Sequence, residues 1–98
     1  MTTPKEIVVK AIEENNVVIF SKKSCPFCKM AKDVFKKMDA KFAAIEIDDM
    51  DEMSDIQDVL GEMTGARTVP RVFLKGKFIG GGSDVKSLYE SGELVKML

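Results

Sequence analysis

The sequence predicts an α/β fold in which a four-stranded mixed β-sheet is flanked by helices on both faces. Short apolar runs rich in β-branched residues alternate with longer segments whose apolar residues recur at helical spacing. The predicted order is helix, strand, helix, strand, helix, strand, strand, helix. The first two strands are therefore joined by a parallel crossover, and the last two form a hairpin. A chain of 98 residues is too short for a second core, so we expect a single domain over residues 1–98.

The first half of the chain supplies two helices and one strand. Residues 4–15 predict a helix, with Pro4 in the first turn, where no N–H is needed. Val17–Phe20 is wholly apolar and predicts a strand buried on both faces. After a loop, a second helix begins at Cys25, and its predicted inward stripe is Phe27, Met30, Ala31, Val34, Phe35 and Met38. Its lysines, Lys29, Lys32, Lys36 and Lys37, are expected to lie on solvated faces.

The second half begins with a strand at Phe42–Ile47 and a helix at 52–64. We expect that helix to point Ile56, Val59, Leu60 and Met63 inward. Arg71–Leu74 and Phe78–Ile79 then form the hairpin. Ser83 is the predicted N-cap of the next helix. The chain ends in a short helical segment that packs through Leu94, Val95 and Leu98.

Charge and hydropathy exclude two classes of partner. The formal net charge of −1 gives no general attraction to nucleic acid. The longest apolar runs have four residues, whereas a bilayer span needs about 20, so we expect no membrane segment. The N-terminus carries charge from Lys5 onward and has no apolar signal region, which favours a cytoplasmic protein.

Charge is nevertheless segregated along the chain. Residues 1–41 carry nine lysines against five acids, residues 42–62 carry eight acids and no base, and residues 63–98 carry six bases against three acids. A small anionic ligand is therefore expected to find its partners in the first and last of these segments.

Both cysteines of the chain stand two residues apart, at Cys25 and Cys28. In the cytosol a Cys-x-x-Cys pair is more often catalytic or metal-binding than a structural disulfide. A structural zinc ion usually takes four nitrogen or sulfur ligands, and this chain offers two cysteines and no histidine. We therefore predict a redox pair and no metal site.

Cys25 is predicted to be the attacking thiol. It stands at a helix start, where unpaired N–H groups and the helix dipole favour negative charge, and Lys22 adds positive charge nearby. Cys28 lies one turn deeper in the helix, so we expect it to be more buried and less ionised.

Three stretches together resemble the glutaredoxins. They are Cys25–Cys28 with the sequence Cys-Pro-Phe-Cys, Thr68–Pro70 with the sequence Thr-Val-Pro, and Gly81–Asp84 with the sequence Gly-Gly-Ser-Asp. Their order and spacing fit over essentially the whole chain. The resemblance implies the thioredoxin fold and glutathione-dependent thiol–disulfide exchange, with Cys25 as nucleophile and Cys28 as resolving thiol. The commoner active site of the family has Tyr where this chain has Phe27.

The same resemblance implies a glutathione site and a cis peptide bond between Val69 and Pro70. The Val69 backbone would pair with an extended substrate, and the N–H groups at the start of the last long helix would hold the α-carboxylate of the γ-glutamyl end. Asp84 would take the α-ammonium group. Lys22, Gln57 and Arg67 are candidates for the glycyl carboxylate, although Arg67 could instead pair with the acidic helix. The full predicted set is Lys22, Phe27, Gln57, Arg67, Thr68, Val69, Pro70, Gly81, Gly82, Ser83 and Asp84.

The partners implied are glutathione as co-substrate, glutathionylated or disulfide-containing proteins, and indirectly glutathione reductase. We expect a monomer with no tightly bound cofactor. Two alternatives stay open. Two subunits could each give Cys25, with two glutathione thiolates, to a [2Fe–2S] cluster; Pro26 should stiffen the loop and disfavour this. A thioredoxin is the other alternative, although no Trp precedes the cysteine pair.

Overall fold

The computed structural model describes residues 2–98 and contains one four-stranded sheet within them. In chain order the elements are α1 Pro4–Glu14, β1 Val17–Ser21, α2 Pro26–Lys37, β2 Ala43–Glu46, a 3-10 turn at Ile47–Asp49, α3 Met53–Thr64, β3 Arg71–Leu74, β4 Lys77–Gly80, α4 Gly82–Glu90 and α5 Glu93–Met97. The predicted elements are therefore present, with boundaries that differ by a few residues.

The sheet has the strand order β2-β1-β3-β4. β1 pairs in parallel with β2, and Phe20 lies opposite Ile45. β3 runs antiparallel to both β1 and β4. The predicted parallel crossover and terminal hairpin are confirmed. Every residue of β1 is buried, as expected for a wholly apolar strand at the centre of a covered sheet.

Alternating residues of β1 face two separate cores. Val17 and Ile19 point into one core with Phe35 of α2 and Val85 of α4. Val18 and Phe20 point into the other, whose remaining buried members are Val8, Ile47, Ile56, Leu60 and Phe73. Because side chains alternate along a strand, β1 contributes to a core on each face of the sheet. The loop that follows β1 leads to Cys25.

Several predicted burial positions are wrong. Phe27 is 56% exposed, because in the first turn of α2 it is Cys28 that points into the protein. Met63 is 44% exposed near the C-terminal end of α3. In the short helix α5 only Leu94 is buried and Val95 is 65% exposed, since five residues present one narrow face to the core. Leu98, which follows the helix, is 42% exposed.

Two polar predictions also need correction. Ser83 is not the N-cap of α4, because the helix begins at Gly82 and Gly81 occupies the N-cap position. Lys32 is not on a solvated face. Its side chain is 20% exposed, and its Nζ lies 2.7 Å from Oε2 of Glu46. Among residues 2–98, no helix is both long and apolar enough to cross a membrane.

Candidate active site

Cys25 lies immediately before α2 and caps it. Its Sγ accepts a hydrogen bond of 3.3 Å from the N–H of Cys28, and its carbonyl oxygen accepts one of 3.1 Å from the N–H of Lys29. Pro26 follows at the first helical position, where its missing N–H leaves no bond unmade. The Cys25 sulfur is partly exposed, and the donors at the helix start are suited to negative charge on it.

Cys28 is fully buried one turn into α2, as the sequence predicted. Burial raises the pKa of its thiol to about 11, and its hydrogen bond with Cys25 acts in the same direction. Hydrogen bonding from the Lys22 backbone and the Ser21 hydroxyl has the opposite, smaller effect on that pKa. The two thiols of the pair therefore differ strongly in their access to solvent.

The loop at Thr68–Pro70 lies directly beside the Cys25 sulfur. The carbonyl oxygen of Val69 is 3.8 Å from Sγ of Cys25. The predicted cis peptide bond between Val69 and Pro70 is present. Thr68 is exposed and Pro70 is buried, so the loop has one side toward solvent and one toward the sheet.

The corner at Gly81–Asp84 closes the site from the other side. A Cβ placed on Gly82 would lie 2.7 Å from the carbonyl oxygen of Phe27, and one on Gly81 would lie 3.4 Å from that of Pro70. The start of α4 is thus packed against both other stretches. Asp84 is exposed, and its Oδ2 accepts a hydrogen bond of 2.9 Å from the N–H of Gly81.

The three predicted partners for a glycyl carboxylate differ in their surroundings. Lys22 lies in the loop before Cys25 and forms no salt bridge within residues 2–98. Gln57 donates through Nε2 to the carbonyl oxygen of Arg67 at 3.1 Å. The Arg67 side chain turns toward α3, where its Nε lies 2.8 Å from Oδ1 of Asp58. Arg67 therefore pairs with the acidic helix α3, which was the alternative to its predicted role in binding a carboxylate.

Arg71 is a site residue that sequence reasoning missed. Its Nη2 donates to Oγ1 of Thr68 and its Nε to the carbonyl oxygen of Pro70, both at 3.3 Å. The guanidinium carbon lies 5.1 Å from the ring centroid of Phe78. Arg71 therefore connects the loop next to Cys25 with strand β4, through hydrogen bonds to the loop and contact with the Phe78 ring. The sequence did contain one signal for Arg71: it is a basic residue directly after the Val-Pro pair, at the start of a buried strand.

Residues 2–98 contain no group of three or more His, Cys, Asp or Glu side chains placed to hold a metal ion. The site consists instead of one accessible thiol, one buried thiol, a cis-proline loop and a helix N-terminus. This fold with this CxxC pair defines a redox protein of the thioredoxin-fold class.

The profile of the glutaredoxin family matches residues 17–79, which is more than half of the chain. The chain belongs to the glutaredoxin family. Membership confirms the predicted enzyme class, a glutaredoxin oxidoreductase, and it favours this interpretation over a thioredoxin. Cys25 and Cys28 form the CxxC pair of this family member.

Similar proteins support the assignment. Glutaredoxin-C4 of Arabidopsis thaliana is 47% identical over 95% of this chain and 69% of its own length. Glutaredoxin-2 of Schizosaccharomyces pombe is 48% identical over 96% of this chain and 86% of its own length. Oxidised glutaredoxin 2 of Chlamydomonas reinhardtii superposes with a TM-score of 0.93 at 38% identity, covering 97% of this chain and 90% of that one. This superposition confirms the predicted thioredoxin fold.

A structure of a buckwheat glutaredoxin–glutathione complex superposes equally well. Its TM-score is 0.93 at 37% identity, over 97% of this chain and 86% of that one. Other relatives are longer: the chain spans 62% of mitochondrial glutaredoxin-2 of Mus musculus, to which it is 44% identical. The single-domain organisation and the cytoplasmic location therefore stay predictions.

Proposed function

We propose that the protein is a glutathione-dependent thiol–disulfide oxidoreductase that reduces protein–glutathione mixed disulfides and protein disulfides. The observation that carries the proposal is that the three stretches pack against one another around Cys25. Val69 contacts Sγ of Cys25, Pro70 packs on Gly81, and Phe27 packs on Gly82. A partly exposed cysteine thus stands beside a cis-proline loop and a helix N-terminus, the set of partners that a small peptide with carboxylates requires.

The γ-glutamyl end of glutathione would bind at the start of α4. Gly81 has no side chain that could cap this helix, so the N–H groups of Gly82, Ser83 and Asp84 are suited to the α-carboxylate. The Asp84 carboxylate is exposed and would take the α-ammonium group with the oxygen not bonded to Gly81. The glutathione complex of the buckwheat relative supports this ligand.

The rest of the tripeptide would extend from α4 across Cys25. Its cysteinyl backbone would pair with the N–H and C=O of Val69, whose carbonyl already lies 3.8 Å from the Cys25 sulfur. Its glycyl carboxylate would meet Lys22 and the amide of Gln57. Arg67 would join them only by leaving Asp58.

The reaction begins with attack by the Cys25 thiolate on the glutathionyl sulfur of a mixed disulfide. A new S–S bond joins Cys25 to glutathione, and the target thiol leaves with the electron pair of the broken bond. A second glutathione attacks the glutathionyl sulfur in turn, which releases oxidised glutathione and regenerates the Cys25 thiolate. Glutathione reductase would return oxidised glutathione to its thiol form.

Protein disulfides need the second thiol. Cys25 attacks one sulfur of the substrate and forms a mixed disulfide, and Cys28 then attacks Cys25, releasing the reduced substrate. The burial of Cys28 keeps it from competing with Cys25 for the substrate, because only the partly exposed sulfur meets a disulfide in solution.

The direct test is reduction of hydroxyethyl disulfide by the protein with glutathione, glutathione reductase and NADPH. We expect turnover that saturates with glutathione. Failure with glutathione, together with turnover by a flavoprotein thioredoxin reductase, would refute the proposal. The alternative of a dimeric [2Fe–2S] carrier stays a prediction, which the visible absorbance and subunit count of anaerobically purified protein would test.

A further inference from the structure

Arg71 is the first residue of β3, and its guanidinium group lies where two parts of the candidate active site meet. Its Nε donates to the carbonyl oxygen of Pro70 and its Nη2 to Oγ1 of Thr68, both at 3.3 Å. On the other side, a Cβ placed on Gly81 would lie 3.5 Å from Nη2 of Arg71. One side chain therefore lies against both the cis-proline loop, Thr68–Pro70, and the residue that precedes α4.

A stack of aromatic rings holds the guanidinium group from the side of the sheet. Its central carbon lies 5.1 Å from the ring centroid of Phe78, and a cation over an aromatic face is attracted to it. The Phe78 ring lies 5.5 Å from that of Phe73, which meets the ring of Phe20 edge-on at 5.8 Å. Phe20 is fully buried and Phe73 is 4% exposed, so the stack begins in the core. The sheet therefore sets the position of the guanidinium group.

The two parts that Arg71 joins would bind different ends of one ligand. In the proposed glutathione complex, the backbone of Val69 would pair with the cysteinyl residue, and the N–H groups at the start of α4 would hold the γ-glutamyl carboxylate. Along the chain, these parts are separated by both strands of the hairpin, β3 and β4. A forked guanidinium group bonds to one part while it packs against the other, and a lysine ammonium group does not have this shape.

We propose that Arg71 is a positioning residue that sets the separation between the cis-proline loop and the start of α4, so that one glutathionyl group reaches both. The inference deepens the proposed glutathione-dependent function and rests on it. A ligand held at both places depends on their separation, because a misplacement of about 1 Å is costly to a reaction that needs exact geometry. A ligand held by the loop alone does not depend on this separation. Arg71 should therefore act on selectivity for the γ-glutamyl group.

The test compares two substrates that differ only in the γ-glutamyl group. One is a short peptide disulfide-bonded to glutathione, and the other is the same peptide disulfide-bonded to cysteinylglycine. In both, the Cys25 thiolate attacks the sulfur of the small moiety and forms a new S–S bond there, and the peptide thiol leaves with the electron pair of the broken bond. Release of that thiol is followed at one pH after mixing with reduced protein. The ratio of the two second-order rate constants measures the preference for the γ-glutamyl group.

Arg71→Lys keeps the positive charge and loses the forked geometry. We expect it to lower the ratio about tenfold, the scale of one hydrogen bond from a charged group. Thr68→Val removes the hydroxyl acceptor from an exposed residue and should lower the ratio about threefold. In the double variant, Thr68→Val should add nothing to the effect of Arg71→Lys, since its partner is already gone.

Lys77→Gln is the matched control, because Lys77 is an exposed basic residue at the far end of the same hairpin, opposite Leu74. It should keep the ratio of the unaltered protein. A ratio retained in Arg71→Lys, or lowered equally in Lys77→Gln, would overturn the positioning role. So would a fall of both rate constants in proportion, because such a fall marks general damage to the fold or to Cys25.

Thr68→Val decides the question alone if Arg71→Lys does not fold, since Thr68 is exposed and valine keeps its shape. A ratio retained in Thr68→Val would then overturn the positioning role. An unaltered protein with no preference for the glutathionylated peptide would give a different result. It would overturn the γ-glutamyl site, and with it the proposed dependence on glutathione.

Discussion

Gly82 packs so closely on Phe27 that an added Cβ would lie 2.7 Å from the Phe27 carbonyl oxygen and 3.2 Å from its Cβ. This contact fixes the start of α4 against the first turn of α2. We expect Gly82→Ala to destabilise the fold by about 1–3 kcal/mol, as overpacking does. It should also raise the KM for glutathione, because the two helix starts must separate. Thermal unfolding and the hydroxyethyl disulfide assay measure the two effects.

Gly61→Ala provides the comparison for this substitution. A Cβ at Gly61 would lie 3.0 Å from Cγ of Arg67 and 3.8 Å from its backbone nitrogen, so a shift of a few tenths of an ångström in one side chain makes room for it. Alanine also has the higher helix propensity, by about 1 kcal/mol. Gly61→Ala should therefore unfold at an equal or higher temperature. Equal destabilisation by both substitutions would contradict the argument from backbone contact.

Asp84 offers a substitution that separates charge from hydrogen bonding. Its Oδ2 accepts the N–H of Gly81, and the amide oxygen of Asn is able to keep that bond. If the carboxylate also holds the ammonium group of glutathione, Asp84→Asn should raise the KM for glutathione about fivefold, the equivalent of 1 kcal/mol at an exposed site. The unfolding temperature should hardly change. Glu90→Gln, an exposed acid at the end of the same helix, should leave this KM unaltered, and an effect equal to that of Asp84→Asn would point to general charge instead.

Arg67 is predicted to bind glutathione yet is paired with Asp58, and its Nη2 donates to the carbonyl oxygen of Ser54 at 3.2 Å. The two paired side chains are 52% and 60% exposed, so the pair is worth about 1 kcal/mol or less. Asp58→Asn should release the guanidinium and lower the KM for glutathione by about twofold to fivefold. Arg67→Gln should raise that KM. Two unchanged KM values would mean that Arg67 serves only to join its loop to α3.

Substitution of each cysteine is expected to remove a different set of activities. Cys28→Ser should keep deglutathionylation and lose reduction of protein disulfides, because Cys25 still attacks but no thiol resolves the mixed disulfide. Cys25→Ser should lose both, since the remaining thiol is buried. A glutathionylated peptide and a disulfide-bonded protein serve as the two substrates. Deglutathionylation that persists in Cys25→Ser would defeat this assignment of roles.

The sequence was sufficient for the four-stranded mixed sheet, its parallel crossover and its terminal hairpin. Val17–Phe20 is apolar at every position, so its burial on both faces followed from composition alone. The helix surfaces were less predictable. Phe27 and Met63 fit a helical stripe, but each lies near a helix end and is exposed. Periodicity identifies the face of a helix and does not reveal how far the partner surface extends.

Within the site, the residues on backbone motifs were easier to predict than those held by side chains. The cysteine pair, the Val69–Pro70 bond and the glycine corner each carry a local signature. Arg71 is marked only by its position after the Val-Pro pair, because the Phe78 ring that its guanidinium group contacts lies on another strand. Lys32 looked like a surface lysine for the same reason: its ion pair with β2 exists only in the folded chain.

Stability at alkaline pH should report the burial of Cys28. In the reduced protein, burial raises the pKa of this thiol from 9.0 to about 11. The unfolded chain therefore loses the proton first, and between pH 9 and 11 it binds fewer protons than the folded chain, so the free energy of unfolding decreases as pH rises. At about 1.4 kcal/mol per pKa unit, the decrease amounts to about 2–3 kcal/mol. Urea unfolding of the reduced protein at pH 8 to 11 measures this decrease in the free energy of unfolding. Cys28→Ser has no thiol at this position, so its free energy of unfolding should fall by about 2–3 kcal/mol less over the same range. Parallel curves for the two proteins would show that the Cys28 thiol ionises as readily in the folded chain as in the unfolded one.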